Sequence, residues 1–130
     1  MSAALNPDHP LDGLYRITTT STGHSDMEKR SDGETRIDNS QTHRKDNAWC
    51  EWTSTFEIIA DDKVRMVSVA DPSQAKVDFM LTKPDGTPTR EPVTYTAELK
   101  LSRKDDKIQI SGQIEYGLDV VFLTMRKIGE

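Results

Sequence analysis

The stretch Val93-Thr94-Tyr95-Thr96-Ala97-Glu98-Leu99-Lys100-Leu101-Ser102 decides the fold. Apolar residues recur at every second position with polar ones between them, which is the period of a half-buried strand. Arg103-Lys104-Asp105-Asp106 then supplies a polar turn, and the pattern resumes at once. Ile108, Ile110, Gly112, Ile114 and Tyr116 share one face, with Gln109, Ser111, Gln113 and Glu115 on the other. Gly112 falls on the inward register, where a residue without a side chain permits a bulge or sharp coiling. Gly117 turns the chain into a last strand over 118–128, apolar on both faces through Val120-Val121-Phe122-Leu123. The three segments predict an antiparallel meander.

Working back toward the start, Cys50, Trp52, Phe56 and Ile58 share a parity opposite Glu51, Thr53, Thr55 and Glu57. Asp61-Asp62 is a turn, and the β-branched run over 64–69 is stopped by Asp71-Pro72-Ser73. Val77, Phe79 and Leu81 alternate with Lys76, Asp78 and Met80, and Lys83-Pro84-Asp85-Gly86 turns the chain again. The proline-flanked segment 84–92 reads as a longer connection. A first strand starts at Gly13-Leu14-Tyr15, with Tyr15 and Ile17 on one face. Between 24 and 47 only Met27 and Ile37 are large and apolar, so the expectation is a loop, a turn at Asp32-Gly33 and one irregular strand. Residues 1–10, with two prolines, read as a flexible arm, and 11–130 as a single domain.

About eight strands at about 8–12-residue spacing describe an all-β sandwich or barrel. Short connections favour an up-and-down meander, closed or nearly closed into a barrel. No long amphipathic helix is available for a parallel crossover.

The 130 residues fit one domain, and a hydrophobic fraction of 34% suits a small barrel with a polar outer face. A formal charge of −5 gives phosphate backbones nothing general to hold, so no nucleic-acid partner is expected. Cys50 is the only cysteine, so no internal disulfide forms. No window approaches the apolar length of a membrane helix, and the first residues lack a secretory pattern. The expectation is a cytoplasmic protein, monomeric or homodimeric, without cofactor or metal.

Chemistry-bearing residues are sparse. His9, His24 and His43 have no partner at metal-ligand spacing; His43, Asp46 and Cys50 are the best set that can be drawn, and solvated loop histidines explain it more simply. Asp61-Asp62 and Asp105-Asp106 sit where aspartates cap turns, and acid–base glycosidase chemistry needs carboxyls across a cleft. Cys50 shares the inward parity of Trp52, so it reads as a buried small hydrophobe. Trp49 falls on the opposite face: the simpler expectation is a partly exposed residue beside a core Trp52, and the alternative is that Trp49 marks an interaction surface. The polar run over 24–47 reads as a solvated loop with an edge strand, or as a segment that orders on a partner.

The order of features resembles the calycins, the lipocalins and their small bacterial relatives, in which a Gly-x-aromatic signature opens the first strand. A basic residue on the last strand packs over that ring. Gly13-Leu14-Tyr15 and Arg126 stand in those places, with Tyr where Trp is usual. The resemblance implies a barrel that holds a small hydrophobic molecule or binds a protein, and it carries over no catalytic residue. Some cytosolic bacterial regulators have lipocalin-like barrels of this size. The first expectation is therefore a non-enzymatic regulatory or protein-interaction barrel whose interior is filled. The alternative is a small apolar ligand in a lumen lined by Tyr15, Ile17, Trp52, Phe56, Phe79, Tyr95, Ile110 and Phe122.

Overall fold

The structure, a computed structural model, describes residues 9–21, 30–45, 49–76, 78, 80–105, 107–116 and 119–130. Ten strands follow one another: β1 Gly13–Ser21, β2 Arg30–Ile37, β3 Gln41–Lys45, β4 Glu51–Ala60, β5 Lys63–Asp71, β6 Leu81–Thr82, β7 Pro88–Thr89, β8 Val93–Lys104, β9 Lys107–Tyr116 and β10 Asp119–Gly129. Eight of them form a single antiparallel sheet in the order β2-β1-β10-β9-β8-β5-β4-β3. Alternation gives β4, β5, β8, β9 and β10 an apolar face, and the sheet curls to bury it; β2 contributes only Ile37 to that face and β3 no apolar side chain. β1 pairs with β10 along its length, from Leu14 opposite Gly129 to Ser21 opposite Val121. The sheet's two edges, β2 and β3, are joined by one turn, so the barrel is nearly closed.

That turn corrects the reading of 24–47. Two strands occupy the described part of it, and Asp32-Gly33 lies inside β2, opposite Thr18 and Ile17. The chain reverses instead at Asn39 and Ser40, whose φ of 54° and 65° are the signature of a two-residue hairpin turn. Asp38 and Gln41 exchange both main-chain hydrogen bonds, at 2.9 and 3.0 Å. Asx-type polar residues tolerate the left-handed region, which is why Asn39 can begin this turn.

The two ends of the barrel are built differently. At one end Tyr15, Ile37, Phe56, Val64, Leu99 and Ile110 are among the residues of a continuous buried cluster. The β8–β9 ladder is confined to this end, running from Lys104 opposite Lys107 to Lys100 opposite Ser111. Gly112, with φ of 157°, lies under Leu99: a Cβ added there would stand 2.8 Å from Leu99 Cδ2. Past that point β8 continues with β5, and β9 continues with β10. The seam between β2 and β3 opens toward the same side, beyond the Asp38–Gln41 bridge. The closed end thus holds together two four-stranded leaves that part at the other end.

The closed end is also stoppered. Leu11 is buried, and the Tyr15 hydroxyl donates to the Leu11 carbonyl at 2.7 Å. Asp12 accepts from the Asn39 and Ser40 amides, each at 2.9 Å, which ties the stopper to the turn. His9 and Pro10, read as part of the arm, are half-buried there; residues 1–8 lie outside the described residues. At the split end a smaller cluster of Cys50, Ala70, Leu81, Val93 and Tyr95 is covered by the connection that carries the β6–β7 ribbon. Gly86, at φ 91°, closes that ribbon's turn.

Candidate functional site

The eight side chains expected around one lumen fall into separate groups. Tyr15, Phe56 and Ile110 are buried in the larger cluster, with Ile17 packed against it. Tyr95 belongs to the smaller cluster and Trp52 packs on that one. Phe79 lies outside the described residues. Phe122 is a correction: it points outward and is 51% exposed, because Leu123 and Met125 hold the inward register of β10. The apolar run there offered two registers, and pairing with β1 and β9 selects the one that hides Leu123.

The resemblance placed Arg126 over the first-strand ring. Arg126 is exposed and stands opposite Arg16. A bulge between Leu14 and Tyr15 brings Lys127 opposite Tyr15 instead. The Lys127 side chain is 10% exposed and reaches Glu130 at 3.6 Å. It crosses Gly13 so closely that a Cβ there would stand 2.5 Å from Lys127 Cε and 2.6 Å from the Gly129 carbonyl oxygen.

The split end gathers two tryptophans and the basic side chains of β3. On β3 the sequence Gln41-Thr42-His43-Arg44-Lys45 faces Thr55, Ser54, Thr53, Trp52 and Glu51 of β4 in turn. Partners across a ladder share a face, so Thr42 and Arg44 stand on the inner side with Ser54 and Trp52. The Arg44 guanidinium sits 5.3 Å from the Trp52 ring centroid, and Trp52 stacks on Tyr95 at 5.8 Å and 20°. The Tyr95 hydroxyl donates to the Thr82 carbonyl at 2.5 Å, anchoring the stack to the covering ribbon. Ser54 and the buried Ser68 share a hydrogen bond of 2.7 Å between them. Trp49 lies at the rim, 56% exposed, with Lys45 Nζ 5.3 Å from its ring centroid. Lys45 also reaches Glu51 at 3.7 Å.

Sequence reading singled out Trp49 and Trp52 as candidate contacts, and took His43-Arg44-Lys45 only as a dense basic patch, because that patch lies in a strand with almost no apolar contrast. Cys50 is buried, as its parity indicated. Among the described residues no three His, Cys, Asp or Glu side chains converge as metal ligands. One serine does meet a histidine: His9 Nδ1 lies 2.7 Å from Ser40 Oγ, beside a pocket of about 290 Å³ lined also by Leu11, Phe56 and Ile58. The Asp12 carboxylate already occupies the Asn39 and Ser40 amides, so neither donor is left for a developing oxyanion. That arrangement works as a lock on the turn.

Among the described residues no helix is long and apolar enough to cross a membrane. No protein-family model matches the chain, and neither does any curated protein or solved structure.

Proposed function

We propose that the chain is a non-enzymatic interaction protein of the cytosol that meets its partner at the rim of the split end. The observation that carries this reading is Trp49. It is large, apolar and 56% exposed, and its φ of 71° lies in the left-handed region. That conformation costs a residue with a side chain about 1–2 kcal/mol. Such strain persists where the surroundings impose it and is concentrated at functional positions. Next to it stand Lys45 and the Arg44–Trp52 pair, and Trp and Arg dominate the energetics of protein interfaces. The lipocalin-like likeness belongs to the same proposal: the barrel is compatible with it, and the rim is its working surface.

The test is affinity capture with the wild-type chain, Trp49→Ala and Arg44→Ala, all checked for unchanged thermal midpoints. Loss of the same partner from both variants is the expected result; retention of every partner by both defeats the reading. A second reading, a small apolar ligand, draws on the half-enclosed pocket under Leu11, Phe56 and Ile58. Its volume of about 290 Å³ is at the lower limit for small-molecule sites. Saturable, near-stoichiometric displacement of a fluorescent apolar probe supports it, and no displacement at high micromolar probe removes it.

A further inference from the structure

We propose that the free edge of β3 accepts an extended acidic peptide segment as an added strand, an inference that rests on the interaction reading and names its partner's chemistry. The main-chain geometry of β3 can be worked out residue by residue. Phe56 N–H donates to Ser40 C=O at 2.8 Å, so Ser40 and Phe56 form a hydrogen-bonded pair. Antiparallel ladders alternate such pairs with non-bonded ones. Thr42 and Arg44 therefore direct their amides and carbonyls to β4, while Gln41, His43 and Lys45 direct theirs away from it. Gln41 uses its own on Asp38. Among the described residues no strand pairs with His43 and Lys45 on that side, because β3 is an edge of the sheet and its bridge to β2 ends at Asp38–Gln41.

This edge is already extended along β4. Gln41 Nε2 donates to Thr55 Oγ1 at 3.3 Å, and His43 Nδ1 lies 3.3 Å from Thr53 Oγ1. Those contacts hold the outer side chains of β3 against β4, so an arriving strand meets an extended template and need not order one.

Charge then selects the occupant. The chain carries −5 overall, yet the titratable side chains of β3 are His43, Arg44 and Lys45, all exposed and none a carboxylate. Basic side chains on an edge repel a second copy of the same edge. They favour a strand bearing Asp or Glu at alternate positions. Residues of such a strand on the inner face meet Arg44, already set over Trp52, and residues on the outer face meet His43 and a Lys45 that they share with Glu51 at 3.7 Å.

The probe is a short synthetic peptide of alternating Glu and Val, titrated into the full chain, with its Lys–Val counterpart as control. Expected are saturable binding of the acidic peptide alone and slowed hydrogen exchange at the His43 and Lys45 amides. Thr42 and Arg44 amides, bonded to β4 beforehand, should change little. His43→Pro removes the open-side donor together with the imidazole and its exposed Thr53 contact, while the Thr42 and Arg44 bonds to β4 stay; it should keep the β4 ladder and thermal midpoint but weaken the peptide about tenfold or more. The proposal is overturned by absent binding, by binding without new protection at His43 and Lys45, by equal binding of the Lys–Val peptide, or by full affinity in His43→Pro. If Trp49→Ala loses the natural partner while His43→Pro retains it, the rim reading stands and strand addition fails.

Discussion

The closed end and the split end of this barrel use the same antiparallel pairing and differ in what fills the space between strands. At the closed end Tyr15, Leu99 and Ile110 are at most 1% exposed, and both seams are bridged. At the split end the inner face changes to Thr42, Ser54, Ser68 and Arg44, and the leaves part. The larger apolar cluster therefore sits at one end, and the other carries a smaller one beside polar and aromatic side chains. The lesson is that one sheet can carry two unlike ends, a bridged apolar one and a parted polar one.

The sharpest way to break the comparison is to cut the same amount of side chain from each end. Ile110→Ala removes a side chain with 0% exposure from between two leaves that cannot collapse, and should destabilise by about 4 kcal/mol in denaturant titration. Leu81→Ala at the split end sits under a covering connection that can settle, so about 2 kcal/mol is expected. Equal losses would mean that the two ends form one core. Tyr15→Phe tests the stopper by deleting the hydrogen bond to Leu11, with an expected loss of about 1–2 kcal/mol near neutral pH.

The same residue sharpens the contrast through pH. Burial first, and then the charge of Asp12, raise the pKa of the Tyr15 hydroxyl. An unfolded tyrosine ionises near pH 10, whereas the folded one keeps its proton. This part of the stability is whole below about pH 10 and declines as pH rises past it. Thermal midpoints from pH 8 to 11.5 should fall more steeply for the wild type than for Tyr15→Phe; parallel slopes would contradict the assignment. The smallest effect belongs to Glu34→Gln. It breaks the exposed Arg16–Glu34 pair at 3.8 Å and should move stability by no more than about 0.5 kcal/mol.

The all-β class, the eight-stranded sheet and its meander were legible wherever the inner face is strongly apolar, as in β5 and β8. They faded where Gly33, Thr35 and Thr42 take the inward positions, because alternation without hydrophobic contrast carries no signal. Asp32-Gly33 misled for a physical reason: an edge strand tolerates a turn dipeptide when its neighbour supplies the pairing. Phe122 could not be oriented from a run that is apolar on both faces. The site was half legible. Two tryptophans marked the rim, but only the β3–β4 register puts Arg44 on Trp52, and no local pattern encodes a register.

Pairing of β1 with β10 also governs how the molecule is made. Leu14 and Gly129 are ladder partners from opposite ends of the sequence, so β1 emerges from the ribosome long before the strand that completes it. Until then β1 has only β2 beside it, and an isolated hairpin is marginal in water. The meander from β4 to β9 can assemble in the meantime from neighbours in sequence. Closing the ring is then the slow, non-local step, in the range of milliseconds to seconds typical of β folds with distant pairings. During that interval the inner faces of β1 and β9 are open to water, and unpaired apolar strands are prone to aggregate.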